Sequence, residues 1–275
     1  MKSRLRIAAT MFAVAAALWA GNVAGAGAEN LIRNGDFEAG GAGQAKDWSK
    51  FDGLTQFWQN HGGNPGACLR LDTSALQVDK KKLEVEGAAA AGKGRGRGGQ
   101  YDTVGAHEGA WAFSQPVQLQ ASDQYFILEA DVNGPAKSSV LFRPLVFIRG
   151  YKKYDPQKDA GTSTWFQTPL ADGPAYSEQF GKEQRAAKDG DFLMVYRSTL
   201  FCRLPEPGKW FHFELGFQLP PTVASRPEVL LLKPYAFWPL GSYYFDNIIL
   251  RRATKAEFQA AQERGHSIKG FMPTE

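Results

Sequence analysis

Short apolar or alternating runs recur along this chain and are separated by Gly, Pro, Asn and Asp. This pattern is typical of an all-β sandwich, because alternation turns one side of each strand towards a core and those four residue types form turns. Helical periodicity is missing until residues 253–262, which predict a short helix. The predicted strands cover residues 30–38, 67–72, 110–119, 124–132, 139–149, 191–204, 209–219, 229–237 and 242–251.

Residues 1–28 carry the three parts of a secretory signal peptide. Lys2, Arg4 and Arg6 precede an apolar run at residues 7–20, and small residues follow at 24–28. The apolar run is too short to cross a bilayer as a helix, which takes about 20 residues. We therefore expect a secreted or periplasmic protein with no transmembrane segment.

The formal net charge of +4 raises the question of a nucleic-acid partner. Three of the 32 basic residues lie in the predicted signal peptide, so processing leaves 29 basic against 28 acidic residues. Because the mature chain is then almost neutral, we expect no nucleic-acid partner.

The two cysteines, Cys68 and Cys202, lie in the predicted mature chain. In an oxidising compartment two thiols of one exported chain are more often paired than free, so we predict a disulfide between them. Two buried free thiols are the alternative, because sequence spacing does not show proximity.

Two segments interrupt the strand pattern. Residues 87–99 are rich in Gly and basic residues and predict a loop. Residues 150–190 are turn-rich and contain many aromatic side chains, including Tyr151, Tyr154 and Trp165. A purely solvated loop gains little from aromatic residues, so we predict an ordered insertion with a function.

The first and last segments of the predicted β region each carry a recognisable motif. The first segment reads NLIRNGDFE at residues 30–38 and is followed by Trp48, and the last strand contains YYFDNIIL. With WAFSQPVQL and YFILEADV between them, these segments resemble the carbohydrate-binding modules of the galactose-binding-domain-like β-sandwich group. The resemblance implies one jelly-roll β-sandwich over residues 29–252, followed by a helical tail at 253–275.

Members of that group commonly hold a structural calcium ion where the first and last strands meet. The resemblance places Glu38 and Asp246 in this site, with Asp36 or its carbonyl and a carbonyl near residues 50–53. Calcium takes six to eight oxygen ligands, which carboxylates and turn carbonyls can supply. The alternative is that the acids cap turns or accept backbone hydrogen bonds.

Alternate positions of five predicted strands are polar and predict one hydrogen-bonding sheet face if the strands are neighbours. Such a face could bind sugar hydroxyls, and its guanidinium groups could bind the carboxylates of an acidic glycan. The alternative is the solvated side of an antiparallel sheet. The polar residues are Arg143, Arg149, Arg197, Thr199, Arg203, His212, Glu214, Gln218, Lys233, Tyr235, Glu129 and Asp131.

Sugar rings also present C–H faces, so carbohydrate sites usually contain aromatic platforms. Three tryptophans lie where apolar strands begin or where the resemblance buries an aromatic, and we predict that they belong to the core: Trp48, Trp111 and Trp210. The other candidates lie in loops or at strand ends and are predicted to be available to a ligand: Trp58, Trp165, Tyr151, Tyr154, Tyr235 and Trp238.

These features predict a non-catalytic polysaccharide-binding protein. Its expected ligand contacts are aromatic residues of the 150–190 insertion together with Arg143, Arg197, Arg203, His212 and Glu214. An envelope or matrix module that binds another protein is the second hypothesis. A polysaccharide lyase or hydrolase on the same scaffold is the third, because sandwich-fold lyases place His, Arg and Tyr on a sheet face.

Overall fold

A computed structural model describes residues 29–86, 99–139, 141–159, 166–167, 192–221 and 226–264. The predicted signal peptide, residues 87–98 of the Gly-rich loop and Trp165 lie outside the described residues. The strands are β1 (Gly40–Gly41), β2 (Gln44–Ala45), β3 (Gln56–Gly63), β4 (Gly66–Asp72), β5 (Ala110–Trp111), β6 (Val117–Gln118), β7 (Tyr125–Asn133), β8 (Leu145–Lys153), β9 (Phe166–Gln167), β10 (Phe192–Phe201), β11 (Phe211–Gln218), β12 (Val229–Ala236) and β13 (Ser242–Ala253). The helices are α1 (Gln77–Glu86), α2 (Val104–His107) and α3 (Lys255–Arg264).

Two antiparallel sheets face each other across one hydrophobic core. The five-stranded sheet has the order β11, β7, β13, β4, β3, and the six-stranded sheet has the order β5, β12, β8, β10, β9, with β6 also paired to β12. The strands β1 and β2 form a separate hairpin. The prediction of an all-β jelly-roll sandwich with a short C-terminal helix is confirmed.

Strand alternation explains the core. In β7, every second side chain from Phe126 to Val132 is fully buried between the sheets, while the intervening Glu129 and Asp131 point outwards. The six-stranded sheet contributes Val146, Ile148, Leu200, Leu230 and Leu232 to the same core. Burial of each such side chain stabilises the fold by roughly 2 kcal/mol, so the core defines which side of each strand faces outwards.

The segment 30–38 was predicted to be a strand, but it forms turns. Asn34 and Phe37 have φ values of 52° and 56°, which an extended strand does not allow. The Oδ1 atom of Asn34 accepts a hydrogen bond from the amide of Ala39 at 2.8 Å. Asn and Asp side chains compete in this way with the strand ladder, which the apolar pattern does not reveal.

Asn30 connects the start of this segment to the last strand. Its Nδ2 atom donates to the carbonyl of Ile248 at 3.1 Å, and its Oδ1 atom accepts from the amides of Ile32 and Leu250 at 3.0 Å each. The amide of Leu31 also donates to the carbonyl of Leu250 at 2.7 Å. The first end motif therefore closes the sandwich against β13 without pairing as a full strand.

The strand β3 and the helix α1 are the longest of the elements that were not predicted. The strand β3 is rich in Gln, Asn and Gly, and its Phe57 and Trp58 are only partly buried, so it lacks a strong apolar signal. The helix α1 has charged residues at most positions, but it places Lys80 in a buried site. Tertiary contacts stabilise both elements more than local propensity does.

The helix α3 packs on the outer side of the five-stranded sheet. A Cβ atom at Gly216 of β11 would lie 3.1 Å from Ala261 Cβ, so the small residue allows close contact. Phe258 packs against Tyr125 with ring centroids 5.1 Å apart. Within the described residues, no helix is both long and apolar enough to cross a membrane.

The predicted disulfide is not formed, since Cys68 and Cys202 are both buried free thiols. Cys202 belongs to the core between the sheets. Cys68 alternates with Ala67 and Leu69 of β4, which face that core, so its thiol lies on the outer side of the five-stranded sheet. A sheet layer separates the two sulfur atoms, and the second possibility, two buried thiols, is the one observed.

Candidate functional site

The polar residues predicted to share one face lie on opposite sides of the sandwich. The strands β7 and β11 pair in the five-stranded sheet, whereas β8, β10 and β12 belong to the six-stranded sheet. Alternation shows which residues share a side of one strand, but it does not show which sheet the strand joins. His212 and Glu214 are therefore separated from Arg143, Arg197 and the other predicted residues of the six-stranded sheet.

The outer side of the six-stranded sheet carries an ordered set of side chains, which we call the aromatic face. The register of β5, β12, β8 and β10 places them in rows across the sheet, because each side chain lies beside its partner on the next strand. The three rows are Trp111, Tyr235, Leu145 and Phe201; Lys233, Phe147 and Thr199; and Leu231, Arg149 and Arg197.

Aromatic rings adjoin one another on this face. The ring centroids of Phe147 and Tyr235 are 5.4 Å apart, and those of Tyr235 and Phe237 are 5.7 Å apart. Phe147, Tyr235, Phe237 and Phe201 are all partly exposed. Thr199, partly exposed, and Arg197, exposed, provide hydrogen-bonding groups beside them. The face therefore combines apolar surface with polar groups.

Trp111 was predicted to be a core residue, but it lies on the aromatic face. Its ring contacts two ammonium groups, with Lys80 Nζ at 4.1 Å and Lys233 Nζ at 4.4 Å from the ring centroid. Lys80 also forms an ion pair of 2.9 Å with Glu108. The cations hold the indole in place by cation–π attraction, so Trp111 supports the platform at one edge.

Two arginines stack on aromatic rings of the same face. The guanidinium carbon of Arg143 is 4.2 Å from the centroid of Phe201, and that of Arg149 is 4.4 Å from the centroid of Phe147. Arg143 is partly exposed, whereas Arg149 is only 9% exposed. These contacts orient the guanidinium groups along the sheet instead of leaving them free in solvent.

The other predicted aromatic platforms have different environments. Tyr151 is buried at 2% exposure, while Tyr154 is partly exposed just beyond β8. Trp58 packs against the core and donates its indole N–H to the carbonyl of Phe37 at 2.7 Å. Trp238 stacks on Tyr101 at the end of β12, with ring centroids 6.3 Å apart.

Of the two other tryptophans predicted to be in the core, one is there. Trp48 is 4% exposed, stacks on Phe37 and donates its indole N–H to the carbonyl of Asn34 at 2.9 Å. Trp210 is partly exposed and packs edge-on against Tyr244 on the five-stranded sheet, so that prediction is wrong. Its position just before β11 gives no signal of burial.

A separate hydrogen-bonded cluster lies on the outer side of the five-stranded sheet. His212 Nδ1 is 2.8 Å from one oxygen of Asp131, and the other oxygen accepts from Asn247 at 2.8 Å and Asn64 at 3.1 Å. Glu214 accepts a hydrogen bond of 2.6 Å from Arg264 of α3. These contacts hold the strands and α3 together. The lyase hypothesis predicted that His212 lies beside an Arg and a Tyr on one sheet face, but His212 and the aromatic face belong to different sheets.

The three predicted calcium ligands do not form one group. Asp246 is fully buried and accepts backbone hydrogen bonds from Asn64 and Asn247. Glu38 accepts from the amide of Ala67 at 2.9 Å, near Asp246. Asp36 is exposed and accepts a hydrogen bond from the amide of Glu38 at 3.5 Å.

Burial is the main cause that raises the pKa of Asp246, to about 6, and the nearby charges of Asp131 and Glu38 also raise it. Across the described residues, no set of three or more His, Cys, Asp or Glu side chains could hold a metal ion. Calcium held by Glu38, Asp246 and carbonyl oxygens stays a prediction.

Two aromatic residues in the rows of the aromatic face, Phe147 and Phe201, were not predicted from the sequence. Both follow a shared pattern, since residues 143–149 read RPLVFIR and residues 197–203 read RSTLFCR. In each segment an Arg stands at both ends and a Phe lies two positions before the second Arg. The i, i+2 spacing of Phe and Arg signals that they share a face.

Comparisons with solved structures give weak similarities. The enzymatically active domain of tailspike protein 4 from bacteriophage CBA120 is 11% identical, with a TM-score of 0.40, over 82% of this chain and 21% of that one. A family 16 carbohydrate-binding module is 17% identical, with a TM-score of 0.39, over 80% of this chain and 99% of that one. A family 61 carbohydrate-binding module in complex with β-1,4-galactotriose is 8% identical, with a TM-score of 0.38, over 82% and 99% of the two chains.

This chain thus spans about a fifth of the tailspike domain. No protein-family model matches it, and no curated protein sequence does so either. At TM-scores below 0.5 these similarities add nothing about function. The fold assignment rests on the strand order, and the function is inferred from the aromatic face.

Proposed function

We propose that this chain is a secreted, non-catalytic polysaccharide-binding protein whose ligand lies on the aromatic face. The observation that carries the proposal is the adjacency of the partly exposed Phe147, Tyr235 and Phe201 on the outer side of one sheet, beside Thr199 and Arg197. Sugar rings stack their C–H faces on aromatic side chains, while their hydroxyl groups bond to nearby polar groups. Both requirements are met by side chains of rigid strands.

The shape of the aromatic face also suits an extended polysaccharide chain better than a compact ligand. The rows of side chains extend across four strands, and β8 and β10 run side by side for nine register pairs. A polymer can contact several rings in succession, and each weak contact adds to the affinity. The non-catalytic assignment is supported by the position of His212, which contacts Asp131 on the opposite sheet.

The test is binding of the purified chain to a panel of neutral and acidic polysaccharides, measured by affinity electrophoresis and calorimetry. Phe147→Ala is the variant, because Phe147 is partly exposed at the centre of the face. We expect at least a tenfold loss of affinity, or about 1.4 kcal/mol. Tyr244→Ala is the matched control, since Tyr244 is a partly exposed aromatic residue on the outer side of the five-stranded sheet.

An unchanged affinity in Phe147→Ala, with an unchanged melting temperature, contradicts the proposed site. Retention on no polysaccharide contradicts the function and favours the second hypothesis, a protein partner. One observation supports that second hypothesis: Tyr101, Leu141 and Phe142 are exposed apolar residues, at 71%, 76% and 39%. Export is tested separately, by whether the mature chain starts at Glu29.

A further inference from the structure

Two arginines lie directly opposite each other at one end of the aromatic face. The last register pair of β8 and β10 joins Leu145 to Phe201, and the amide of Cys202 donates to the carbonyl of Pro144 at 3.0 Å. This hydrogen bond continues the antiparallel register for one more residue. The next outward pair is therefore Arg143 and Arg203, and Arg143 already stacks on the ring of Phe201.

Among the residues that the structure describes, this pair of like charges has no ion-pair partner of opposite charge. Like charges directly opposite on neighbouring strands are destabilising. Burial and then the charge of Arg203 lower the pKa of Arg143. The Nη1 atom of Arg143 is buried and meets no hydrogen-bond acceptor in the described part of the chain. Among the ion pairs of the described ranges, none includes either arginine.

A second arginine pair closes the other end of the same two strands. Arg197 is the register partner of Arg149 and is exposed. Arg197 and Arg203 are six residues apart on one side of the chain, which corresponds to roughly 20 Å along an extended strand. Phe147 and Phe201 lie between the two pairs. Two pairs of arginines thus flank the aromatic side chains of β8 and β10.

We propose that Arg143 and Arg203 together bind an anionic group, a carboxylate or a sulfate ester, of an acidic polysaccharide that runs along β8 and β10. This inference rests on the proposed function and adds the charge class of its ligand. A guanidinium group presents paired N–H donors that match the two oxygens of a carboxylate or sulfate. The bound anion would neutralise the opposed charges and accept hydrogen bonds from the solvent-accessible guanidinium N–H groups of Arg143 and Arg203, while sugar rings cover Phe201 and Phe147.

The experiment compares polymers that differ only in charge. Polygalacturonate is tested against its fully methyl-esterified form, and dextran sulfate against dextran, by calorimetry at two salt concentrations. We expect at least tenfold tighter binding of one charged polymer than of its neutral counterpart. Discrimination in the first comparison identifies a carboxylate, and discrimination in the second identifies a sulfate ester.

The variant Arg203→Gln tests the site, because Arg203 is exposed and its replacement removes charge without opening the core. We expect a tenfold loss of affinity for the charged polymer, a shallower salt dependence and unchanged binding of the neutral polymer. Arg33→Gln is the control: Arg33 is 68% exposed and pairs with Asp47 away from the face. We expect this control to bind the charged polymer as tightly as the unmodified chain does, because the proposed site, and not the overall positive charge, determines the affinity.

The outcomes separate this inference from the proposed function. Equal affinity for charged and neutral polymers overturns the anionic site but leaves polysaccharide binding intact. Equal losses in Arg203→Gln and Arg33→Gln also overturn it, because long-range charge then explains the effect. Binding of no polymer at all overturns both proposals. Arg143→Gln is a second variant of the same site. If both Arg203→Gln and Arg143→Gln bind the charged polymer as tightly as the unmodified chain does, the two arginines are not the anion site.

Discussion

Replacing Asn30 by alanine tests how the chain ends hold the sandwich together. The side chain of Asn30 makes three hydrogen bonds, all to backbone groups, and two of them reach β13 through Ile248 and Leu250. Within residues 30–38, only Asn30 both donates a hydrogen bond to β13 and accepts one from it. Alanine keeps the backbone bond from Leu31 to Leu250 but removes all three side-chain bonds.

The expected loss follows from the number and burial of these bonds. A hydrogen bond contributes about 1 kcal/mol net to stability, and a donor or acceptor left buried without a partner costs more. Asn30 is partly buried, so water can reach some of the released groups. We therefore expect Asn30→Ala to lower the free energy of unfolding by about 3 kcal/mol.

Urea unfolding followed by tryptophan fluorescence measures this loss, because Trp48 lies in the core beside the first segment. The midpoint should fall while the slope of the transition stays constant. Asn60→Ala is the control: Asn60 is exposed on β3, and surface substitutions usually change the free energy of unfolding by about 0.5 kcal/mol or less. A change below about 1 kcal/mol in Asn30→Ala refutes the view that this side chain closes the fold.

Three further predictions concern the buried thiols and the buried carboxylate. Cys68 and Cys202 should resist iodoacetamide in the folded protein, because burial raises the pKa of both thiols, to about 12 for Cys68. Both thiols should react with iodoacetamide after unfolding without reductant. If mass spectrometry then finds neither cysteine labelled, the prediction of two free thiols is wrong. The pKa of Asp246 lies above its ordinary value of 3.8, at about 6, because of burial and neighbouring acids. The folded state then binds more protons, so stability should fall as pH rises from about 4 to about 6; an equal slope in Asp246→Asn excludes this residue as the cause. Calcium, if Glu38 and Asp246 bind it, should raise the melting temperature of chelator-treated protein, and no shift at millimolar calcium removes the predicted site.

Much of the fold could be predicted from alternation. The strands β7, β11, β12 and β13 carry clear apolar alternation or buried runs, and their predicted ranges overlap the observed ones. The segment 30–38 and the strand β3 could not be predicted in this way. In the first, Asn34 forms side-chain bonds that favour a turn, and in the second, pairing with β4 supplies the stability that the sequence lacks.

The candidate site could be predicted only in part. Arg143, Arg197, Arg203 and Tyr235 do lie on one face, as alternation within each strand indicated. His212 and Glu214 do not, since their strand joins the other sheet. Strand alternation is a local property, whereas sheet membership depends on pairing between segments far apart in sequence.

The sequence by itself determined the fold class and, for strands with clear alternation such as β7, the side that faces the core, because both follow from periodicity. Only the tertiary structure decided that β8 and β10 are neighbours in a register that opposes Arg143 to Arg203. It also placed Cys68 and Cys202 on different sides of a sheet. Those arrangements depend on long-range packing, in which one residue of register shift would exchange the core and outer faces.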